Sequence, residues 1–397
     1  MKILCLNAGS ATVKYRIFTR GTLARLAHGQ ASRIGDQGAV IQHVWPDGSV
    51  RRHPLPGADH AGVLRGILTD LAADGTLAAP DDVVVAHRVV HGGDRFTAPV
   101  WIDEEVLAAI RELGRLAPLH NEIAATGVEI ARAALPAASQ LAVFDTAFHA
   151  SMPAHARGYA IPAVYTERGF RRYGFHGISH AYVAAEAARE LDRPLESLRL
   201  VTLHLGQGAS AAAIDGGISV DTSMGMTPLE GLVMGTRSGD LDPGAVLRLI
   251  DETGRSAAGV ADLLNHESGL QALAGVADMR DIAARAAAGD HRAEEAVALF
   301  CYRVKKYIGA YLAVLGGIDA VVSTGGIGEH SATVRARSCE GLGALGLRID
   351  PEANAAHERT VHAGAVPVLV IPTDEELAMA RAAVGLFGNE RGTGGAP

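Results

Sequence analysis

Apolar positions along the chain fall into short runs separated by polar, glycine-containing bends. Near the amino terminus, "LNAGSATVKYRIF" (Leu6 to Phe18) joins the apolar run Ile3 to Leu6 to the alternating stretch Val13 to Phe18. Both flanks read as β-strands, while Asn7, Gly9, Ser10, Thr12 and Lys14 crowd the bend with small polar groups and one cation. Further strand-like runs, "VVVAHRVV" and "LAVFDTAF", alternate with helical patterns such as "DEEVLAAIRELGRL", in which Val106, Ile110 and Leu113 share one face. Alternation of this kind predicts an α/β fold.

A second hairpin-like stretch, Leu200 to Gly217, repeats the opening design with a polar bend at Gly206 to Ser210. The two copies lie half a chain apart. That spacing suggests duplication, with two related domains each offering a phosphate-facing hairpin; the alternative is that any two glycine-rich hairpins look alike. Pro153 and Pro162 follow the first half, so a boundary near residues 146–153 is expected. The tail "RGTGGAP" is expected to be disordered.

At 397 residues and 48% apolar content, the chain can build two cores and is not a disordered protein. A net charge of −8 argues against an overall field for nucleic acid or anionic membrane, so an anionic substrate needs a local cationic site. Cys5, Cys301 and Cys339 form no CxxC pair and read as reduced, buried thiols. No signal-peptide core or membrane-length apolar stretch appears, and a cytoplasmic location is expected.

Three glycine loops, "NAGSAT", "HLGQGAS" and "STGGIGEH", let the backbone approach an anion closely and point N–H groups at it. None matches a P-loop or a dinucleotide fingerprint. Arg88 stands between apolar strand residues, and Arg237 lies in "LEGLVMGTRSGDLDP"; an unpaired guanidinium is costly in either setting, so each points to a bound carboxylate or phosphate. His176, in "RRYGFHGISH", has glycines flanking the Phe175–His176 pair, and His120 follows Pro118 and Leu119 in a compact turn. Asp145 ends an apolar run, where α/β proteins collect ligands. In "PTDEEL", Thr373 and Glu376 fit a capping box, leaving Glu375 for other work, with Mg²⁺ the natural candidate.

These motifs resemble the acetate kinase family, in the superfamily that also holds sugar kinases, heat-shock chaperones and actin. "LNAGSATVKY", "AHRVVHGG", "APLHN", "FDTAFH", "RRYGFHGISH", "HLGQGAS", "DTSMGMTPLEGLVMGTRSGDLDP", "DMRDI", "TGGIGE" and "PTDEEL" occur in family order over nearly the whole chain. The resemblance implies duplicated ribonuclease H-like, actin-like ATPase domains around a central nucleotide cleft. Residues 1–147 with 380–397 would form the first domain, and 148–379 the second.

It implies Mg²⁺, or Mn²⁺, held by Asn7 and Glu375, and a phosphate hairpin served by Ser10, Thr12 and Lys14. Arg88 would bind the substrate carboxylate beside His120, with Val90, Leu119, Phe175 and Pro228 as the apolar pocket. Asp145, His176 and Arg237 would be the catalytic group. ATP would be bound by His204, Leu205, Gly206, Gln207 and Gly208, by Asp278, Met279 and Arg280, and by Gly325, Gly326, Ile327, Gly328 and Glu329. The implied reaction is reversible phosphoryl transfer between ATP and acetate by a homodimer, with ADP and acetyl phosphate as products. A propionate or butyrate kinase is the nearer alternative, and an actin- or chaperone-type ATPase the more distant one. Gln207 and Asp374 stand where the family has asparagine, Glu122 replaces a proline, and Met226 and His330 are also unusual.

Overall fold

The computed structural model describes residues 1–9, 12–77 and 82–392, apart from the side chains of 118–119 and 388–392. Two compact units result: Met1–Ala147 joined by the segment from Asp374 onward, and Phe148–Thr373. The chain returns to the first unit at Asp374, ahead of the expected residue 380. The reason is local: helix Glu375–Gly392 is tied to the first strand from its first turn, Cys5 Sγ donating to Glu376 O.

The first unit holds an eight-stranded sheet of β1 (Lys2–Ala8), β2 (Thr12–Thr19), β3 (Arg25–Ser32), β4 (Val40–Val44), β5 (Val50–Pro54), β6 (Val83–Val89), β7 (Val100–Trp101) and β8 (Ser139–Phe144). Their spatial order is β5-β4-β3-β2-β1-β6-β8-β7. Strands β1 to β5 form an antiparallel meander, whereas β1, β6 and β8 run parallel. A central parallel strand is covered on both faces, which is why β1 is almost continuously apolar. Leu4 and Leu6 join Val63, Leu64 and Ile67 of helix His60–Ala73 in one core. Cys5 and Asn7, on the alternate face, meet helix Glu375–Gly392.

The second unit carries β9 (Arg199–Leu205), β10 (Ala209–Asp215), β11 (Ile218–Thr222), β12 (Ala320–Thr324) and β13 (Val368–Val370) in the order β11-β10-β9-β12-β13. Helix Gly177–Glu190 packs Val183, Ala184 and Ala187 against Leu200, Ala212 and Ile214. The 25-residue helix His291–Leu315 buries Phe300, Val304 and Ile308 and packs against β9 and β10. This strand order matches β3-β2-β1-β6-β8, with the same antiparallel and parallel pairings. Both glycine-rich bends therefore occupy the same place, the hairpin between the first two strands of each repeat.

Two local expectations change. Glu376 does not complete a capping box; Asp374 Oδ1 accepts from Leu377 N at 2.9 Å and caps the helix, because Glu376 is drawn to Asn7 and Arg16. Of the tail expected to be disordered, Arg391 and Gly392 lie in the last helix, and Thr393 to Pro397 lie outside the described residues. All three cysteines are free and buried. Among the described residues no helix is long and apolar enough to cross a membrane.

Candidate active site

In the first unit, one hydrogen-bonded network gathers Asn7, Arg88, Asp145 and Glu375. Arg88 leaves the sheet from β6, one residue before its end, and Asp145 follows the last residue of the neighbouring β8. Arg88 Nε lies 3.1 Å from both Asp145 oxygens, and its Nη2 lies 2.5 Å from Oδ2. Arg88 Nη1 donates to Asn7 Oδ1 at 3.0 Å, and Asn7 Nδ2 donates to Glu375 Oε2 at 2.9 Å and Glu376 Oε1 at 3.1 Å. Burial opposes the charge on Arg88, but the Asp145 and Glu375 carboxylates outweigh it and raise its pKa further. Glu376 and Arg16 were not anticipated; Arg16 pairs with Asp374 and Glu376 and balances the carboxylates at this helix start.

The donors here are an amide oxygen and carboxylates, hard ligands suited to Mg²⁺. Among the described residues no cluster of three or more His, Cys, Asp or Glu forms a metal cage.

Val90 is buried just beyond β6. The fully buried Asn121 accepts from His91 N and donates to His91 O, both at 3.0 Å, which ties this turn to the helix start that carries His120. Nothing in the sequence reading singled out Asn121. Thr12 and Lys14 lie on β2, with Lys14 exposed opposite Asn7. Ser10 and the side chain of Leu119 lie outside the described residues.

In the second unit, His176 and Arg237 converge. His176 has left-handed backbone angles, φ 58° and ψ 21°, and begins helix Gly177–Glu190. Such a conformation is costly for a residue with a side chain and persists where its surroundings enforce it. Its ring stacks on His204 with centroids 4.3 Å apart, and its Nδ1 lies 2.9 Å from Ser210 Oγ. Phe175, also buried, has its carbonyl held by His149 Nε2 at 3.0 Å. Burial pushes the His149 pKa down to about 4, so it stays a neutral donor.

Arg237 Nη1 donates to Pro228 O at 3.1 Å and approaches Met234 Sδ. Among the described residues no carboxylate pairs with it, and burial holds its pKa below the ordinary arginine value. A Cβ on Gly208 would lie 3.3 Å from His176 Nε2 and 3.7 Å from Arg237 Nη1, so bare backbone meets both side chains at that point. Gln207 O accepts from Gly235 N at 3.0 Å, which fastens the glycine hairpin to the loop bearing Arg237. Leu205 is buried and offers a ligand only its backbone.

At Gly325, φ is +77° and a Cβ would come within 2.7 Å of Leu205 O, so the turn after β12 closes on the hairpin only with glycine. Glu329 accepts from Gly325 N at 2.9 Å, and the buried Arg335 donates to Gly328 O and Glu329 O, both at 2.9 Å, which shapes Gly325 to Glu329 into one helical turn. Asp278 instead caps helix Met279–Ala287 and pairs with the exposed Arg280, while Met279 is buried. No hydrogen bond among the described residues joins these three to the other glycine turns.

A duplicated α/β protein with a glycine-rich hairpin in each repeat, a carboxylate-held arginine and a second arginine with no carboxylate partner among the described residues fits a class, the phosphoryl-transfer enzymes. The chain belongs to the Acetokinase family, whose defining pattern matches residues 2–381. It is 47% identical over 394 residues to a protein named acetate kinase in Syntrophobacter fumaroxidans, covering 96% of each chain. Among solved structures it superposes on Porphyromonas gingivalis acetate kinase with a TM-score of 0.88, at 39% identity over 97% of this chain and 99% of that one. A propionate kinase from Francisella tularensis gives a TM-score of 0.91, at 37% identity over 96% and 98%.

Proposed function

We propose that the protein is an ATP:acetate phosphotransferase that moves the γ-phosphoryl group reversibly by direct in-line attack. The observation that carries this reading is Arg237, a half-buried guanidinium with no carboxylate partner among the described residues, beside His176 and the bare backbone of Gly208. Preorganised donors of this kind stabilise charge as it spreads over a transferring phosphoryl group.

Acetate is already ionised at neutral pH, since an ordinary carboxylic acid titrates near ~4. No general base is needed, and Asp145 is committed to holding Arg88. With one N–H of Nη2 on Asp145 and one of Nη1 on Asn7, Arg88 keeps one N–H on each terminal nitrogen for a substrate carboxylate. Asn7 and Glu375 would hold Mg²⁺, which supplies positive charge to the phosphate oxygens when bound. The chain would act as a cytoplasmic homodimer, which light scattering tests against twice the 41.2 kDa of one chain.

Trapping the acyl phosphate with hydroxylamine tests the reaction. Hydroxamate is expected with ATP and acetate and should vanish when EDTA removes the metal. ATP turnover without hydroxamate would favour an ATPase instead.

The likeness to a propionate kinase favours a second reading, and Val90 separates the two. A buried β-branched side chain is stiff and leaves little room. One methylene in an apolar pocket is worth about 1–3 kcal/mol, so acetate should be preferred to propionate by roughly 10-fold or more in kcat/KM. Val90→Ala should narrow that gap, chiefly by improving propionate. Wild-type kcat/KM equal or higher for propionate would remove the acetate assignment.

A further inference from the structure

Behind His176 runs a chain of buried hydrogen bonds. His176 Nδ1 lies 2.9 Å from Ser210 Oγ, Ser210 Oγ lies 2.8 Å from His180 Nε2, and His180 Nδ1 lies 2.7 Å from Thr202 Oγ1. Thr202, His180 and Ser210 have no exposed surface. Their placement follows from periodicity. Thr202 on β9 and Ser210 on β10 share one face of the sheet, and His176 and His180, four residues apart, share the helix face that covers it.

The direction of this chain can be worked out from its protons. A serine or threonine hydroxyl has one proton to donate, and a neutral imidazole has one N–H and one acceptor nitrogen. His180 is neutral, because burial, followed by the proximity of His149 and His204, holds its pKa well below the usual value. Among the described residues the Thr202 hydroxyl has no hydrogen-bond partner other than His180. Its proton is satisfied only if Thr202 donates to His180 Nδ1. The proton of His180 then sits on Nε2 and goes to Ser210 Oγ, and Ser210 donates its own proton to His176 Nδ1. With Nδ1 accepting, neutral His176 carries its proton on Nε2. Reversing the chain would strand the Thr202 proton in the core, and buried donors without acceptors are rare and costly.

We propose that Ser210 and His180 are positioning residues that hold His176 as its Nε2–H tautomer, so that the ring donates a hydrogen bond to a transferring phosphoryl oxygen instead of accepting one. Phosphoryl oxygens at that stage offer lone pairs, and only a donor stabilises them. Nε2 is the nitrogen that sits against Gly208 beside Arg237. The role of His176 rests on the kinase reading above; its tautomer does not.

Long-range ¹H–¹⁵N correlation spectra of the full-length protein labelled at histidine distinguish the two tautomers, and His176→Gln identifies the signal. The wild-type ring is expected as Nε2–H at about pH 8, where an ordinary imidazole is neutral. Thr202→Val, nearly the same shape, removes the hydroxyl that sets the direction and should yield a tautomer mixture. Ser210→Ala should do the same and lower kcat roughly 10-fold or more, with KM for ATP and acetate changed less than about 2-fold; Ser210→Thr should restore both readouts. A wild-type ring found as Nδ1–H, or an Nε2–H ring unchanged in both Thr202→Val and Ser210→Ala, overturns the proposal while leaving the kinase reading intact. Normal turnover by His176→Gln would instead remove the catalytic role assigned to this ring.

Discussion

Arg237→Ala is expected to lower kcat by about 10³-fold or more, the order associated with an arginine that stabilises a transferring phosphoryl group, while leaving the protein folded. The second half of that expectation comes from what Arg237 lacks. It bonds to a carbonyl and a thioether and has no carboxylate among the described residues. A half-buried charge without a counter-ion contributes little to stability, so its removal should change the unfolding free energy by no more than about 1 kcal/mol. Steady-state kinetics and chemical denaturation of the same variant check both halves. Near-normal turnover would rule out the role. A large loss of stability would show that the arginine is structural.

Asp145→Asn should show the opposite balance. Asp145 is only 1% exposed and accepts from Nε and Nη2 of Arg88. Neutralising it leaves a guanidinium enclosed without its main counter-charge, and breaking a buried pair from one side costs about 3–5 kcal/mol. Activity should fall as well, because Arg88 loses the partner that aims it, and KM for acetate should rise together with the drop in kcat. Arg88→Met combined with Asp145→Asn should recover much of the stability without recovering activity, since the unpaired charge is gone but the carboxylate receptor is gone too. If Asp145→Asn is as stable as wild type and its rate returns simply on raising the pH, Asp145 is a base and not the holder of Arg88.

The two variants differ because the two arginines were equally conspicuous in sequence but meet different surroundings. Arg88 and Arg237 each interrupt apolar or glycine-rich stretches, which is enough to mark both as unusual cations. Only packing decides that Asp145 reaches one and that, among the described residues, no carboxylate reaches the other. The same holds for the C-terminal helix start. Thr373 and Glu376 have capping-box spacing, yet Glu376 lies beside Asn7 and Arg16, residues hundreds of positions away, and that long-range pairing outweighs a local cap which Asp374 supplies equally well.

By itself the sequence determined what repeats and what is local. Short apolar runs, alternating with period two in Val13 to Phe18, marked the strands of both hairpins, glycine and small polar residues marked their bends, and ordered motifs marked the family. His176 and His180 also stood at helical i, i+4 spacing, a signal available but not used. Tertiary structure alone decided that both sheets share one strand order, which carboxylate faces which arginine, and which way protons run from Thr202 to His176. The physical reason is that periodicity reports which face of an element is buried, whereas charge pairing and hydrogen-bond direction depend on atoms a few ångströms apart in space, contributed by elements that are distant in the chain.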